Sequence, residues 1–430
     1  MGKGNLTSMN YLNIVSYQGL INWSVAHLLG NDLKFTNRYP LVRIGVLLIP
    51  NRNVISIKDN VKYKQVTLKT NGGGAILRGI KAGKDIGTKK QYQITTRQFI
   101  MSKIDARNGA FGIVPESLNG AVVTGDFPVF DVDKEKLNPT YLQLLSCTKP
   151  FIRFAQSCSR GTTNRQRIDV EQFLNLQIPL PSLEEQNDIV AAYKSSISLA
   201  EQYVQLATDK EDTIRQYINS RLGLSARLNK KSASKSLMYF INFQELSIRW
   251  DVWNNIHFSY NGEYELISLS NVIRMSSGLF LPSKSQIDGQ YNVYGGNGKT
   301  GTHNKYCYSG KRIVIGRVGE YCGNVHLVDG EYWITDNALK VDKIYEGITW
   351  EYLAIALEAL NINQYKSISA QPSISQNKIL QLQIPLPPLN VQNEITVHIS
   401  ELKEQIKSLH ILASTTKNVA VQQFEKTIFE

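Results

Sequence analysis

Residues Leu174 to Ile189 read LNLQIPLPSLEEQNDI, and residues Leu380 to Ile395 read LQLQIPLPPLNVQNEI. Over the aligned positions 172–189 and 378–395, 11 of 18 residues are identical. The two copies are 206 residues apart, which is about half of the 430-residue chain. Because solenoid repeats recur every ~20–50 residues, a repeat of this size indicates one large unit that is present twice.

Weaker similarity extends the repeat upstream of this motif. Tyr39–Ile44 aligns with Tyr264–Leu269, and Ile100–Ile104 aligns with Ile313–Val318, a segment that contains Arg317. The offset falls from 225 residues in the first pair to 206 at the proline motif, so the second copy is shorter inside its globular part. A constant frame around two diverged globular parts predicts a modular protein that does one job at two places.

Composition limits the classes of protein to which the chain can belong. Hydrophobic residues make up 42% of the chain, which is enough for buried cores, and no apolar run approaches the ~18–20 residues that a membrane helix needs. The N-terminus lacks the apolar segment of a signal peptide, and the four cysteines show no CxxC spacing, so we expect a cytoplasmic protein with reduced thiols. A net charge of +12 favours a polyanionic partner, with nucleic acid first.

Each copy alternates short strand-like runs with Gly, Asn, Asp and Pro, and then turns helical. The predicted strands are Leu41–Ile49, Val61–Leu68, Phe99–Ile104, Ala121–Thr124 and Pro128–Val132 in copy one, and Glu265–Val272, Tyr291–Tyr294, Arg312–Arg317, Asn324–Val328 and Ala338–Val341 in copy two. A helix is predicted after Pro139 and again at Trp350–Leu360. The pattern predicts two mixed α/β (α+β), strand-rich domains.

A long helix is predicted after each proline motif, starting at Ser182 and at Pro388. Apolar residues then recur with 3-4 spacing. They are Val190, Tyr193, Ile197, Ala200, Val204, Ala207, Glu211, Ile214 and Ile218 in the first helix, with one charged exception, and Ile395, Ile399, Leu402, Ile406, Leu409, Ala413, Thr416 and Ala420 in the second. This spacing is typical of a coiled coil; a pair of ordinary amphipathic surface helices is the alternative.

Pairing of the two helices requires them to run antiparallel, because both leave their domains by the same motif. A rod with one domain at each end, related by a pseudo two-fold axis, is the expected arrangement, and one chain would then resemble a two-fold symmetric dimer. The predicted domains are 1–181, 182–235 (helix and linker), 236–387 and 388–430.

Cationic and amide side chains in glycine-rich turns are the candidates for reading DNA, because base edges are recognised by Arg, Lys, Asn and Gln. Copy one offers Arg78, Lys81, Lys103, Arg107 and Asn108, and copy two offers Tyr294, Asn297, Lys299, Thr300, Asn304 and Arg317. The alternative interpretation is that these residues form ordinary solvated turns.

With these features in view, the whole chain resembles the specificity subunit of a Type I restriction–modification system. The resemblance rests on the paired Ile-Pro-Leu-Pro-x-Leu-x-x-Gln segments with their long helices, on the lead-in Ser369–Ser375, and on the turns Ser102–Gly112 and Gly316–Gly323. Copy one departs from the lead-in at Gly161–Ile168.

The resemblance implies a non-catalytic DNA-recognition subunit. Each domain would read one half of a bipartite, asymmetric target in double-stranded DNA, and the helical rod would set the gap between the halves. Two methyltransferase subunits, which methylate adenine N6, and restriction subunits would be the protein partners. No cofactor is expected in this chain; S-adenosylmethionine, ATP and Mg²⁺ belong to the partner subunits. The partner-binding candidates are Pro179, Pro181, Gln186, Pro385, Pro387 and Gln392.

Two other function classes were weighed against this one. A self-contained DNA-modifying enzyme lacks its signatures: Asn138–Tyr141 has threonine at the third position of an amino-methyltransferase motif, and Val293 stands where a P-loop ending at Gly298–Thr300 needs glycine. A coiled-coil scaffold without a nucleic-acid role is disfavoured by the basic charge and by the duplicated turns.

Overall fold

The computed structural model describes residues 38–160, 167–225, 259–260, 262–367 and 371–429. The chain divides into two compact units: unit 1 comprises residues 1–201 and 413–430, and unit 2 comprises residues 202–412. Each unit therefore contains one globular domain, the first part of one long helix and the last part of the other. The predicted linker segment Arg227–Lys231 lies outside the described residues.

Unit 1 contains the following elements in chain order: β1 (Leu41–Arg43), α1 (Ile44–Leu47), β2 (Leu48–Asn51), β3 (Val54–Ser56), β4 (Lys62–Lys69), β5 (Gly74–Ala82), β6 (Lys90–Gln93), β7 (Phe99–Met101), β8 (Phe111–Ile113), β9 (Val122–Val123), β10 (Val129–Val132), α2 (Pro139–Ser146), α3 (Lys149–Ser157), β11 (Ser159–Arg160), β12 (Arg167–Ile168), α4 (Val170–Leu174) and β13 (Gln177–Pro179). The long helix α5 (Leu183–Leu222) begins here and ends in unit 2.

Unit 2 continues with β14 (Leu224–Ser225), β15 (Ser259–Tyr260), β16 (Leu266–Ser268), α6 (Leu269–Val272), β17 (Ile273–Ser277), β18 (Tyr291–Gly295), β19 (Gly298–His303), β20 (Tyr308–Ser309), β21 (Arg312–Gly316), β22 (Val325–Val328), β23 (Glu331–Ile334), β24 (Ala338–Ile344), α7 (Trp350–Ala359), α8 (Gln376–Leu380) and β25 (Gln383–Pro385). The second long helix, α9 (Leu389–Phe429), begins here and ends in unit 1.

Each unit has a four-stranded antiparallel central sheet with the same strand order. The order is β2-β10-β7-β8 in unit 1 and β17-β24-β21-β22 in unit 2. Buried aromatic rings fill the core beside the first sheet, where the ring centroids of Phe99 and Phe173 lie 6.3 Å apart and those of Phe111 and Phe173 lie 5.8 Å apart. The same topology twice confirms the internal repeat that the sequence predicts.

An outer sheet also recurs, with one parallel pair in each copy. Unit 1 has the order β3-β6-β9-β4-β5 and unit 2 the order β20-β23-β18-β19, so β3 is the additional strand of unit 1. The parallel pairs are β4–β9 and β18–β23. The hairpin of β4 and β5 is longer than its counterpart of β18 and β19, which is where the second copy has lost residues.

The prediction of the first strand in each copy is wrong in one respect. The runs Leu41–Ile49 and Glu265–Val272 were expected to be continuous strands, but a helical turn, α1 or α6, interrupts each run after three strand residues. Ile44 and Leu47 are both fully buried. Because a spacing of three places two side chains on one face of a helical turn, burial of this pair outweighs the strand propensity of the run.

The two long helices pack against each other in antiparallel fashion within unit 2. Lys210 Nζ donates to Gln405 Oε1 at 2.7 Å, and Arg221 Nη2 donates to Glu394 Oε1 at 2.7 Å. Residue numbers therefore increase along α5 while those of the partners on α9 decrease, as antiparallel helices require. All eight predicted contact positions of α9 are buried or half-buried. The coiled-coil prediction is thereby confirmed for this helix.

The predicted contact face of α5 needs correction in its middle. Val204 and Glu211 are exposed, whereas their neighbours Tyr203 and Lys210 are half-buried. The 3-4 spacing itself is kept, because the buried or half-buried positions over this stretch are 200, 203, 207, 210, 214 and 217. The prediction is therefore wrong by one position at alternate contact sites.

Within the described residues, no helix combines the length and the apolar character that crossing a bilayer requires.

Candidate nucleic-acid interface

Lys103 and Arg317 occupy one and the same backbone position in the two units. The amide of Lys103 donates to the carbonyl of Asp126 at 2.9 Å, and its own carbonyl accepts from the amide of Ile168 at 2.8 Å. The amide of Arg317 likewise donates to the carbonyl of Asn337 at 3.0 Å, and its carbonyl accepts from the amide of Ile374 at 2.9 Å. The alignment of these two segments in the sequence is therefore confirmed by the hydrogen-bonding pattern.

Both residues stand just beyond the strand of the central sheet that carries them, β7 or β21. At the other end of the same sheet, the amide of Asp133 donates to the carbonyl of Leu47 at 3.0 Å in unit 1. In unit 2, the amide of Tyr345 donates to the carbonyl of Val272 at 2.9 Å. That other end adjoins the start of the long helix. We call the end with Lys103 or Arg317 the recognition edge of each unit.

A glycine-rich hairpin turn is docked onto the recognition edge of unit 1. The amide of Asn71 donates to the carbonyl of Asn108 at 2.7 Å, and the amide of Gly72 donates to that of Gly109 at 3.1 Å. These bonds join the β4–β5 turn to the loop that follows Lys103. The side chain of Asn108 is exposed beside them.

The equivalent turn of unit 2 lies on the recognition edge with even less clearance. A Cβ atom added to Gly316 would lie 2.2 Å from the carbonyl oxygen of Gly296, and one added to Gly298 would lie 2.8 Å from the ring of His326. Only glycine permits this approach. The side chains of Asn297 and Lys299 are exposed at the turn, so the structure brings both close to Arg317. Burial lowers the pKa of His326.

A β-bulge recurs at the same place in both hairpins. In unit 1, Gln65 pairs with Gly79 and Val66 with Leu77, which leaves Arg78 as the additional residue. In unit 2, Val293 pairs with Gly301 and Tyr294 with Lys299, which leaves Thr300 as the additional residue. Bulges change the direction of a side chain and often lie beside functional sites, so these two predicted residues are structural equivalents.

Other predicted residues are placed differently. Lys81 and Asn304 are exposed but lie at the far ends of their hairpins, about 20 Å along the strand from the turns at ~3.3 Å per residue. The ring of Tyr294 is half-buried against Tyr332, with centroids 5.7 Å apart, and belongs to the core of the outer sheet. The half-buried Arg107 offers its carbonyl to Gln156 Nε2 at 2.8 Å.

Lys103 also lines a cavity of about 480 Å³ at the recognition edge of unit 1. Arg52, Tyr92 and Phe127 share its lining. The side chain of Arg317 has a different neighbour, because its Nη1 donates to Ser277 Oγ at 3.2 Å. The same backbone position therefore lies in different surroundings in the two units.

The proline motifs form a second duplicated feature, the domain–helix junction, defined by Gln177–Gln186 in unit 1 and Gln383–Gln392 in unit 2. Pro179 pairs with Leu41 in the β1–β13 ladder, and Pro385 pairs with Leu266 in the β16–β25 ladder. Pro181 and Pro387 are buried as well.

The last residue of each junction, Gln186 or Gln392, is a glutamine that is fully buried and hydrogen-bonded through both atoms of its side-chain amide. Gln186 Nε2 donates to the carbonyls of Lys136 and Pro181, both at 2.9 Å, while its Oε1 accepts from the amide of Asn138 at 2.8 Å. This amide group thus ties the start of α5 to the start of α2.

Unit 2 repeats this arrangement. Gln392 Nε2 donates to the carbonyls of Gly347 and Pro387, and its Oε1 accepts from the amide of Thr349 at 3.0 Å. Both glutamines are 0% exposed. They and the four buried prolines make contacts that hold the domain to its own helix. Their predicted role in partner binding stays a prediction.

Two tyrosines complete the junctions, and the sequence analysis did not single them out. Tyr141 Oη donates to the carbonyl of Pro179 at 2.9 Å, and Tyr352 Oη donates to that of Pro385 at 2.6 Å. Burial raises the pKa of both hydroxyls, so they remain donors at neutral pH. Both tyrosines stand three residues after the residue that caps their helix, Asn138 or Thr349. This shared spacing in the two copies could have identified them in the sequence.

The helix starts differ at one position. Ser182 and Glu185 form a capping box, in which Ser182 donates to Glu185 and the amide of Glu185 donates to Ser182 Oγ at 3.3 Å. These bonds from Ser182 lower the pKa of the Glu185 carboxyl. Copy two has Pro388 in place of the serine.

A model of the Type I restriction modification DNA specificity domain matches residues 47–201 and again residues 261–417, which together are well over half of the chain. The chain belongs to this Type I restriction–modification specificity family. The two matches coincide with the two copies of the repeat, each of which includes one central sheet, one recognition edge and one junction.

Known specificity proteins show the same relationship at low sequence identity. The specificity subunit of the Type I restriction enzyme EcoprrI from Escherichia coli is 23% identical over 262 residues, which are 59% of this chain and 59% of that protein. The chain therefore matches about three-fifths of the length of this relative.

One solved structure is similar in fold, and a second matches over most of the chain at a lower TM-score. A chain from a study of complex assembly and conformational transition in the type I R-M system has a TM-score of 0.58 at 16% identity, covering 91% of this chain and 97% of its own length. The HsdS subunit from Thermoanaerobacter tengcongensis has a TM-score of 0.45 at 16% identity, covering 93% and 98%.

Proposed function

We propose that this specificity protein reads a bipartite, asymmetric DNA target, one half with each unit. The observation that carries the proposal is the occurrence of Lys103 and Arg317 at one backbone position of two recognition edges. Cationic side chains beside glycine-rich turns suit contact with a polyanion at close range. Duplicated recognition edges on one chain suit two half-sites.

The differences between the edges support an asymmetric target. Arginine can pair with guanine O6 and N7 through two hydrogen bonds in a fixed geometry, whereas lysine acts as a single flexible donor group. The bulge residue is Arg78 in unit 1 and Thr300 in unit 2. Different donors at equivalent positions read different bases, so the two half-sites have different sequences.

The long helices are proposed to set the gap between the half-sites and to dock two methyltransferase subunits. At 1.5 Å per residue, the 40 residues of α5 extend about 60 Å. Exposed apolar side chains are found on both helices, as expected of a surface that binds other proteins. They are Leu199, Val204 and Leu206 on α5, and Leu389, Val397, Ile411, Leu412, Val419 and Val421 on α9.

Catalysis is assigned to the partners in this proposal. The methyltransferase subunits would bring S-adenosylmethionine and methylate adenine N6 after base flipping, and restriction subunits would bring ATP and Mg²⁺. The chain itself would act in the cytoplasm without a cofactor.

A genome-wide map of N6-methyladenine in the source strain, with and without this gene, tests the proposal. Loss of one bipartite motif with a constant gap is the expected result, and it would supply both half-site sequences. Retention of every methylated motif, in a strain where the methyltransferase co-purifies with this chain, would contradict it. DNA methylation by the purified chain alone would instead support a self-contained enzyme.

A further inference from the structure

An aromatic side chain projects into solvent beside the recognition edge of unit 2. Of the large apolar side chains in the described part of the chain, Phe280 is the most exposed, at 73%. It lies in the segment that follows β17, three residues after Ser277, whose hydroxyl accepts from Arg317. Burial of an apolar side chain of this size is favourable, so its exposure calls for an explanation.

Contacts on both sides hold the backbone of this segment. The amide of Gly278 donates to the carbonyl of Ala338 at 3.1 Å, and the amide of Leu279 donates to that of Ile334 at 2.8 Å. Trp333 Nε1 donates to the carbonyl of Leu279 at 3.3 Å. The position of Phe280 is therefore set by the sheet beneath it.

The close packing of Gly278 prevents the backbone of this segment from moving nearer to the core of the domain. A Cβ atom added there would lie 2.3 Å from the carbonyl oxygen of Thr335. The backbone is already in contact with the outer sheet, and the side chain that follows Leu279 must point elsewhere.

The charged groups around Phe280 favour DNA as the molecule that covers it. Arg317 is joined to the same segment through Ser277, and the exposed Lys284 lies in the turn Ser283–Ser285 that follows. The exposed Asn297 and Lys299 belong to the turn packed against the other side of Arg317. An apolar ring among cationic and amide donors matches the composition of a surface that enters a DNA groove.

We propose that Phe280 makes a direct apolar contact with bases of the half-site that unit 2 reads. This inference rests on the proposed function. Two contacts would use the same ring: packing on the C5-methyl group of a thymine in the major groove, or stacking against a base whose step has opened. Unit 1 has only the polar pair Arg52 and Asn53 between β2 and β3, so the contact belongs to one half-site.

The test uses the full chain assembled with its methyltransferase subunits and a duplex carrying the complete target. Phe280→Ala is expected to weaken duplex binding about tenfold, while Phe280→Trp retains most of the affinity. Tyr345→Ala, which removes an aromatic ring 44% exposed at the opposite end of the same sheet, serves as the matched control and leaves DNA affinity unchanged. Base pairs of the target are also exchanged one at a time. In the half read by unit 2, each exchange should reduce the DNA affinity of Phe280→Ala less than that of wild type, and in the other half the two proteins should lose affinity equally.

Modified bases distinguish the two contacts, and either result supports the proposal. If uracil in place of one thymine removes the difference between wild type and Phe280→Ala, the ring contacts the methyl group. If 2-aminopurine in that half-site brightens on binding of wild type but not of Phe280→Ala, the ring stacks in an opened step.

Wild-type affinity and half-site preference in Phe280→Ala would overturn the inference. So would loss of the methyltransferase from the purified complex of this variant, because that outcome would identify the patch as a protein-docking surface. Arg317→Ala, measured in parallel, separates this failure from failure of the proposed function. Reduced DNA binding in Arg317→Ala with normal binding in Phe280→Ala rejects only the inference, whereas normal binding in both rejects DNA reading by this edge.

Discussion

At the scale of single residues, Lys103 and Arg317 show how one backbone position carries two different cationic side chains. The hydrogen bonds on either side of each residue are equivalent, while the side chains differ in donor geometry. The backbone thus supplies the placement, and under the proposed function the side chain would supply the specificity.

Arg317→Ala should weaken recognition of one half-site and leave the other half unaffected. Loss of one well-placed base or phosphate contact corresponds to roughly 1–3 kcal/mol, or about 5- to 150-fold in affinity. Lys103→Ala should affect the other half only. Competition binding with duplexes mutated in one half at a time measures both effects. Equal losses at both halves in either variant would contradict modular reading.

The buried glutamines of the domain–helix junctions make a second prediction at this scale. Gln186→Ala leaves the amide of Asn138 and the carbonyls of Lys136 and Pro181 without this partner. Since each buried polar group left unsatisfied costs ~1–3 kcal/mol and three groups lose this partner, we expect at least ~3 kcal/mol less stability in unit 1.

Denaturant unfolding monitored by hydrogen exchange on β7 and β21 localises that loss to unit 1. Gln172→Ala, at a half-buried position in α4, is the control for replacing a glutamine. Equal stability of Gln186→Ala and wild type would show that the junction is not held by this side chain.

At the scale of elements, the end of each long helix completes the core of a domain. Ile218 and Leu222 of α5 belong to the main core of unit 2, and Phe424 and Ile428 of α9 belong to that of unit 1. Both pairs are 206 residues apart in sequence, the same offset as in the proline motif. The similarity between copies therefore extends to contacts that α5 and α9 make at their final turns.

Phe424→Ala should destabilise unit 1 by about 3–5 kcal/mol, the usual cost of removing a buried aromatic ring. The ring lies 6.0 Å from Tyr141 and 6.4 Å from Tyr193, centroid to centroid, and is 5% exposed. Val421→Ala, 44% exposed on the same helix, should change stability little. Thermal unfolding of both variants gives the comparison, and similar midpoints for the two would refute the assignment of Phe424 to the core.

At the scale of the whole molecule, a basic chain carries two recognition edges and two long helices. The net charge of +12 predicts DNA binding that weakens steeply as salt increases. The exposed apolar residues of α5 and α9 are further candidates for docking methyltransferase subunits, since the glutamines and prolines that recur in the two junctions are buried.

Replacement of Ile411 by Asp should weaken association with the methyltransferase. Ile411 is 58% exposed, so the substitution adds a charge to the surface without disturbing the core. Co-purification should show at least a tenfold reduction in bound methyltransferase. The exposed Lys417→Asp variant controls for an added negative charge on the same helix. Undiminished co-purification would place the docking surface elsewhere.

The duplication, the mixed α/β class and the long helices could be predicted from the sequence, as could the alignment of the segment that contains Lys103 with the one that contains Arg317. These properties follow from local and periodic signals: a repeated proline motif, strand-like runs and 3-4 spacing of apolar residues. The contact face of α9 was predicted residue by residue for the same reason.

Which polar residues are buried and which apolar ones are exposed could be read only from the folded chain. Gln186 and Gln392 read as partner-binding residues in sequence, yet each satisfies three backbone groups of its own unit. The helical turn at Ile44–Leu47 interrupts a run that reads as a strand, and Phe280 is held outside its domain by bonds to β23 and β24. Burial and hydrogen-bond satisfaction depend on residues distant in the chain, and local sequence patterns do not encode those partners.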